Sequence, residues 1–183
     1  MNTINTLSSL IPSKIRLNEH YLYPGTIFAD LDPSIVTTVL GSCVSVCLWD
    51  QRQNIGGINH YFLPGGKIDE SSSPRFGDVA IRSLLNAMYK LGSSKKDLIA
   101  KVFGGAMVLQ IISSGLSVGD RNIEVALKIL KQEGIPIKSR DLGGKLGRKI
   151  KFNTHSGVVS VKMLKKNALI NNYLSLPVQR GDY

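Results

Sequence analysis

The chain is poor in cysteine, in aromatic residues and in acidic side chains, and it contains no long apolar run. Only two cysteines occur, Cys43 and Cys47, and the three histidines stand far apart at positions 20, 60 and 155. Two residues four positions apart in one strand lie about 13 Å apart, whereas a disulfide requires Cα atoms within about 7 Å. A Cys43–Cys47 disulfide and a C-x-x-C redox motif are therefore excluded. Because no zinc-type ligand spacing is present, we expect neither a metal nor a cofactor.

The apolar content restricts the class of protein. No stretch of about 18 apolar residues occurs, so we expect no transmembrane helix. The N-terminus lacks the basic start and the apolar core of a secretory signal. A hydrophobic content of 43% and a charged content of 20% are typical of a globular domain, and 183 residues suit a single core. The two cysteines cannot pair with each other, and the chain has no export features, so we expect the protein in the reducing cytoplasm.

The hydrophobic periodicity predicts a mixed α/β domain at residues 19–164, with a loose arm at 1–18 and a polar, disordered tail at 165–183. Extended segments are predicted near 20–29, 35–40, 43–49, 55–62, 98–103 and 135–140, with a hairpin over 149–163. One helix is predicted from Ser73-Pro74 to Gly92 and a second from Asp120 to Glu133. Strands at both ends with two main helices between them indicate a layered α/β sandwich with a largely antiparallel sheet.

Cys43 is the first candidate for a catalytic side chain. Gly41-Ser42 interrupts two runs rich in β-branched residues, and the cysteine directly follows this break. A thiol at the lip of such a turn can be exposed near backbone N–H groups. His60 lies on the next strand-like segment, and adjacent strands joined by a short glycine-containing loop usually pair. Because the thiolate is the nucleophile and a free thiol is mostly protonated at neutral pH, the pair predicts a cysteine hydrolase or amidase.

A cysteine in an apolar strand is more often an inert core residue than a nucleophile. Cys47, in the middle of the second run, is predicted to be the structural cysteine, whereas Cys43 is set apart by its place at the turn. A third group usually orients a catalytic imidazole, and by analogy with Cys-His-Asn triads either Asn59 or Asp50 could serve. From the residues alone, both remain candidates.

Five sequence blocks, in order, resemble the CheD family, the chemoreceptor glutamine deamidases of bacterial chemotaxis. The blocks are T-T-V-L-G-S-C-V-S-V-C-L-W-D (37–50), G-G-I-N-H-Y-F-L-P (56–64), A-K-V-F-G-G-A (100–106), V-G-D-R-N (118–122) and D-L-G-G-K-L-G-R (141–148). The resemblance implies Cys43 as the nucleophile and His60 as the base. It implies Thr37, six residues before the cysteine, as the third member, in place of the two candidates above. Thr38 is expected to point to the opposite face of the strand.

The resemblance implies a hydrolase that converts specific glutamine side chains on the cytoplasmic helices of chemoreceptors to glutamate. Family members are also associated with hydrolysis of receptor methylesters. A phosphatase of the CheC type is the implied regulatory partner, and we expect a monomer. The alternative is a non-catalytic basic adaptor, or a nucleic-acid-binding module, in which Cys43 is a core residue.

The charge balance is strongly basic. Lysine and arginine number 23 against 13 acidic residues, so the formal net charge is +10, and the excess gathers in the last third of the chain. Nucleic acid, an anionic membrane surface or an acidic protein would each explain it. An aromatic content of 7% without an aromatic stripe, and the lack of a helix-turn-helix or zinc pattern, argue against nucleic acid. Chemoreceptor helices are rich in glutamate, so the resemblance favours an acidic protein partner without membrane insertion. Lys149 and Lys151 are predicted to be exposed, alternating with buried Ile150 and Phe152.

Overall fold

The computed structural model describes residues 16–65, 73–107 and 116–165. Within them the chain forms, in order, β1 (Asn18–Tyr21), β2 (Thr26–Asp30), β3 (Ser34–Leu40), β4 (Val44–Asp50), β5 (Ile55–His60), α1 (Gly77–Lys90), β6 (Leu98–Gly104), α2 (Val118–Gln132), β7 (Ile137–Leu142), β8 (Arg148–Asn153) and β9 (Val159–Met163). One sheet has the strand order β1-β3-β8-β9 and the other the order β2-β5-β4-β6-β7. Only β1–β3 and β6–β7 pair in parallel among these described strands. The prediction of a largely antiparallel α/β fold is confirmed.

The described residues form three layers, with the five-stranded sheet in the middle. Val44, Val46 and Leu48 of β4 pack against the buried faces of α1 and α2. Cys47, on the opposite face of β4, packs in a second cluster that includes Ile150 of the four-stranded sheet. β4 is therefore buried on both faces, which explains its largely apolar sequence. The predicted layered sandwich with two main helices is confirmed.

Two glycines in β5 let both neighbouring layers approach this strand closely. A Cβ atom at Gly56 would lie 2.7 Å from the ring of Phe152 in the four-stranded sheet. A Cβ atom at Gly57 would lie 2.8 Å from a methyl group of Leu84 in α1. Both distances are well below the optimal carbon–carbon separation of about 3.5–4.0 Å. The Gly-Gly pair ahead of His60 thus allows β5 to lie tightly between the two outer layers.

The predicted start of the first helix is wrong. α1 begins at Gly77 rather than at Ser73-Pro74. The carbonyl of Arg75 accepts hydrogen bonds from the backbone of Phe62, at 3.1 Å, and of Leu63, at 3.0 Å, just beyond β5. This tertiary pairing keeps the chain extended where local capping signals favour a helix.

Three other boundaries also differ from the prediction. The extended segment at 20–29 is two strands in different sheets, β1 and β2, joined by a turn in which Gly25 has a φ of +79°. α2 begins earlier, because Ser117 caps it in a reciprocal pair of hydrogen bonds with Asp120. β7 begins at Ile137 and extends two residues beyond the predicted end at Arg140.

The C-terminal hairpin is confirmed. β8 and β9 pair antiparallel, Ile150 and Phe152 are fully buried, and Lys151 is exposed between them. Lys149, also predicted to be exposed, is half-buried. At the other end of the chain, Asn18 belongs to β1, so it is part of the fold rather than of the predicted arm. The rest of that arm up to residue 15, and the predicted tail beyond residue 165, lie outside the described residues. None of the helices in the described ranges is long and apolar enough to cross a membrane.

Candidate active site

Cys43 lies where the chain crosses from one sheet to the other. β3 ends at Leu40 in the four-stranded sheet, β4 begins at Val44 in the five-stranded sheet, and Gly41, Ser42 and Cys43 make the crossing. The Cys43 side chain packs in the cluster between the sheets and keeps 9% of its surface exposed. The turn predicted at Gly41-Ser42 is therefore present, and it places the thiol at the margin of the interior.

Cys47 has a different environment. It is 1% exposed in the middle of β4, and burial strongly raises the pKa of its thiol, although Lys101 acts in the opposite direction. A thiol that resists ionisation is a poor nucleophile. The prediction that Cys47 is a structural core residue is supported by this environment.

The strand register places Cys43 and His60 on the same face of the five-stranded sheet. Val44 and Tyr61 exchange both backbone hydrogen bonds, at 3.0 and 3.1 Å, so Ser45 lies directly opposite His60. Cys43 is therefore diagonal to His60 across the strand pair. Diagonal positions lie about 7–8 Å apart, within reach of long and ring-bearing side chains.

The imidazole of His60 is held by a threonine of the other sheet. The hydroxyl oxygen of Thr38 lies 2.7 Å from His60 Nδ1 and donates its own proton to the carbonyl of Leu22, at 2.8 Å. A hydroxyl has a single proton, so with that proton on Leu22 the Thr38 oxygen accepts from Nδ1–H. This arrangement assigns the proton of the neutral ring to Nδ1 and leaves the lone pair on Nε2.

The threonine beside His60 is thus Thr38 and not Thr37. The two side chains do point to opposite faces of β3, as expected, but the face towards His60 belongs to Thr38, which is fully buried. Thr37 is half-buried, and its side chain lies on the outer face of the four-stranded sheet, paired in register with Lys151. The sequence itself contains a pattern that favours Thr38 over Thr37. Residue 38 lies on the same face of β3 as the apolar residues 36 and 40, which are buried.

Asn59 and Asp50, the orienting groups suggested by triad analogy, are engaged elsewhere. Asn59 lies on the face of β5 opposite His60, where its side-chain oxygen accepts a hydrogen bond from Val46 N at 2.8 Å. The carboxylate of Asp50 accepts from the backbone N–H groups of Arg52 and Gln53 in the β4–β5 turn, both at 2.9 Å.

Burial lowers the pKa of His60 to about 4, although the nearby backbone of Leu22 acts in the opposite direction. The ring is therefore neutral at pH 7. Its Nε2 atom is buried and has no hydrogen-bond partner among the described residues, and the same is true of Ser45 Oγ on the facing strand. A neutral imidazole with an available lone pair, on the same face of the sheet as a thiol, suits general-base activation of that thiol.

The three carbonyl groups of the crossing are all anchored by the Gly105-Ala106 segment and by α2, which packs against that segment. The donor–acceptor pairs are Ala106 N to Gly41 O at 2.8 Å, Asn122 Nδ2 to Ser42 O at 2.9 Å, and Gly105 N to Cys43 O at 2.8 Å. In a planar trans peptide the N–H points away from the C=O. Fixing the Gly41 and Ser42 carbonyls therefore turns the N–H groups of Ser42 and Cys43 towards the other side of the crossing.

Glycines 104 and 105 allow this anchoring. Gly104 has a φ of +113°, and a Cβ atom there would overlap the carbonyl oxygen of Cys43. Gly105 has a φ of +70°, and a Cβ atom there would lie 2.5 Å from Ile123 of α2. Only a residue without a side chain fits both the backbone angle and the space at either position.

The sequence block at 141–148, which ends in Arg148, supports the Gly104-Gly105 turn. Arg148 is 1% exposed and donates to the carbonyl and the carboxylate of Asp141 and to the carbonyl of Gly143. The backbone N–H of Gly143 in turn donates to Gly104 O at 2.9 Å. A buried arginine therefore holds the loop that flanks the Gly104-Gly105 turn.

These features describe a two-sheet α/β protein with a cysteine and a neutral histidine at the junction of its sheets, and comparisons with known proteins place it in a family. The family model described as CheD chemotactic sensory transduction matches residues 62–163. A protein of Trichlorobacter lovleyi named "probable chemoreceptor glutamine deamidase CheD" is 44% identical over 143 residues, 78% of this chain and 89% of the relative. A protein of the same name from Sulfurimonas denitrificans is 42% identical over 80% of this chain and 94% of the relative. Another from Rhodospirillum rubrum is 43% identical over 82% of this chain and 85% of the relative. The chain belongs to the CheD family.

Burial of neutral His60 makes stability depend on pH. The unfolded chain binds a proton at an ordinary histidine pKa of about 6.5, whereas native His60 stays neutral down to about pH 4. Stability is therefore lost as the pH falls through this window, and we expect a decrease of about 2 kcal/mol in the free energy of unfolding between pH 7 and pH 5. Urea denaturation at the two pH values measures it. His60→Gln should lose this component, and His20→Gln, which removes an exposed imidazole, should keep it. Equal pH dependence in the wild type and His60→Gln would contradict the assignment.

Proposed function

We propose that this chain is a cytoplasmic protein-glutamine deamidase that converts glutamine side chains of chemoreceptors to glutamate, with Cys43 as the nucleophile and His60 as the base. Membership of the CheD family and the names of its relatives support the reaction and the substrate class. The observation that carries the mechanism is the neutral His60. Thr38 holds its Nδ1 proton, and its Nε2 lone pair lies on the face that also bears Cys43.

The reaction begins when His60 Nε2 takes the proton from the Cys43 thiol. The thiolate attacks the Cδ carbon of the substrate glutamine, and the carbonyl oxygen of the amide becomes an oxyanion. The N–H groups of Ser42 and Cys43 are the proposed donors to this oxyanion, because anchoring of the turn carbonyls directs them to one side. The intermediate collapses with cleavage of the C–N bond and leaves a γ-glutamyl thioester on Cys43.

The low pKa of His60 suits its role as the acid that protonates the leaving group. An imidazolium buried in an apolar interior is a strong acid, so it readily gives its proton to the departing nitrogen, which leaves as ammonia. Water then attacks the thioester with His60 again as base. This step yields glutamate and restores the Cys43 thiol, so no cofactor is consumed.

The same site would accept the other substrate that the family resemblance implies. A γ-methyl ester of glutamate presents the same carbonyl carbon, and methanol would leave in place of ammonia, so methylester hydrolysis is part of the proposal. The chain acts as a monomer, and a CheC-type phosphatase is the proposed regulatory partner.

The central test concerns Cys43 and His60 as one unit. Cys43→Ala should abolish conversion of glutamine to glutamate in a receptor fragment, measured by mass spectrometry, and His60→Ala should come close to it. The double variant should be hardly slower than either single variant, because the members of one relay lose their contribution together. Cys47→Ala is the matched control, and it should keep most of the activity and lose about 1 kcal/mol of stability.

Circular dichroism separates loss of activity from loss of fold in these variants. A folded Cys43→Ala protein that deamidates the fragment at the wild-type rate would contradict the proposal. That outcome would favour the alternative, a basic adaptor in which Cys43 is only a core residue.

A second test separates the two adjacent threonines. Thr38→Val keeps the shape of the side chain but removes the acceptor of His60 Nδ1–H, so kcat should fall about 10- to 100-fold. Thr38→Ser restores a hydroxyl and should recover most of the loss. Thr37→Val, on the outer face of the same strand, should change kcat less than about threefold. The reverse ranking would return the role of orienting His60 to Thr37, as the family resemblance implies.

A third test concerns the outer face of the four-stranded sheet, which is rich in lysine. Lys149 and Lys151 lie on this face, and Lys149 pairs in register with Lys162 of β9. Like charges placed directly opposite each other destabilise a sheet, so their presence favours a role in binding an acidic partner. K149E/K151E should slow association with an acidic receptor fragment and weaken its salt dependence, while kcat at saturation stays unchanged.

The matched control for the lysines is K128E/K131E, which makes the same change in net charge on α2, in the helical layer. Stopped-flow association at low and moderate salt measures both variants. Equal effects of the two double variants would show that only net charge matters, and no effect of either would mean that the lysines are a solvated surface.

A further inference from the structure

Asn122 is a fully buried polar side chain that the proposed mechanism does not use. It lies in the first turns of α2, and its Nδ2 atom donates to Ser42 O at 2.9 Å and to Phe62 O at 3.2 Å. Both acceptors are carbonyl groups, so only the NH₂ end of the carboxamide can satisfy them, and the orientation of the amide follows from its partners. The side chain thus joins the crossing that bears Cys43 to the segment just beyond His60.

The bond to Ser42 differs from the other two anchors of the crossing. The carbonyls of Gly41 and Cys43 are held by backbone N–H groups, which no substitution of a side chain removes directly. The Ser42 carbonyl is held by a side chain. The Ser42–Cys43 peptide is planar, so the direction of this carbonyl also sets the direction of the Cys43 N–H. Asn122 therefore acts on the peptide that supplies one of the two proposed oxyanion donors.

Asn122 is itself held firmly in place. The hydroxyl of Tyr61 donates to the Asn122 backbone carbonyl at 2.7 Å. Gly119, one turn earlier in α2, packs so closely on the Gly104-Gly105 turn that a Cβ atom there would lie 2.5 Å from Gly105 O. Donors that are fixed before the reaction stabilise developing charge without reorganisation.

The carboxamide also leaves one atom unsatisfied. Asn122 Oδ1 is buried and has no hydrogen-bond partner within the described part of the chain. A buried acceptor without a partner is destabilising. An apolar residue would not leave such an acceptor unpaired, so the two hydrogen bonds of the NH₂ group are the feature that an asparagine adds here.

We propose that Asn122 is a positioning residue for the oxyanion site: its carboxamide fixes the Ser42–Cys43 peptide so that the Cys43 N–H points at the oxyanion formed from the substrate carbonyl. The inference rests on the proposed function and adds a residue to it. Asn122 touches neither the substrate nor the reacting atoms and acts through the backbone of Cys43.

The test compares two reactions of the same thiol. Deamidation develops an oxyanion, whereas alkylation of Cys43 by iodoacetamide is a displacement at a saturated carbon and develops none. Asn122→Ala should lower kcat for a receptor-derived glutamine peptide about 10- to 100-fold, somewhat less than the loss of a direct donor. It should change KM less than about threefold, and the rate of Cys43 alkylation less than about twofold. Asn122→Ser keeps one hydroxyl donor and should lie between the wild type and the alanine variant in kcat.

Asn59→Ala is the matched control, because it also truncates a fully buried asparagine with one hydrogen bond to the backbone, on the helix side of β5. It should leave the ratio of the deamidation rate to the alkylation rate unchanged. If Asn122→Ala fails to fold, the same two assays on Asn122→Ser decide the matter.

An unchanged kcat in a folded Asn122 variant would overturn the inference. A parallel fall of deamidation and alkylation would also overturn it, since a merely structural role would disturb the thiol in both reactions. Activity of Cys43→Ala, in contrast, would overturn the proposed function itself. An inactive Cys43→Ala together with a fully active Asn122→Ala would leave the proposed function intact and remove only this inference.

Discussion

The arrangement of the site depends on one hydrogen bond that crosses between the two sheets. Thr38 belongs to the four-stranded sheet and His60 to the five-stranded sheet, and both side chains are fully buried where they meet. A buried polar group without a partner costs about 1–3 kcal/mol, so the packing of the sheets and the orientation of the imidazole stabilise each other. The same bond leaves the lone pair on Nε2, and burial keeps the ring neutral. The base is thus prepared by the way the two sheets pack against each other.

The separate sequence blocks allow close packing of the layers and fix the backbone around Cys43. The Gly-Gly pair of β5 admits Phe152 and α1, and Gly104 admits the carbonyl of Cys43. Arg148 holds the loop beside Gly104. The blocks lie in different elements, yet most of them contact or support the crossing between the sheets, which consists of residues 41–43. A cysteine in such a crossing has a backbone that is fixed from several directions, which is the condition for directed N–H donors.

The sequence predicts the local features of this arrangement better than the tertiary ones. The glycine break before Cys43, the pairing of β4 with β5 and the hairpin of β8 and β9 follow from turn chemistry and period-2 patterns, and the structure has all of them. The family resemblance favours Thr37 by its position in the motif, but the face of β3 that meets His60 depends on which residues the core buries. The contact of Asn122 cannot be predicted from the sequence, because its partner Ser42 is 80 positions away. The local proline signal predicts too early a start for α1, because backbone pairing of Arg75 with the segment beyond β5 outweighs it.

The most direct measurement of the central claim is the identification of the covalent intermediate. Purified protein is mixed with a glutamine-containing receptor peptide, quenched in acid within the first turnover, digested, and examined by mass spectrometry. We expect a γ-glutamyl adduct of the substrate peptide on the fragment that contains Cys43, and we expect hydroxylamine to remove it, as it removes a thioester. Deamidation that proceeds at the normal rate with no adduct on Cys43, or with the adduct on Cys47, would contradict it.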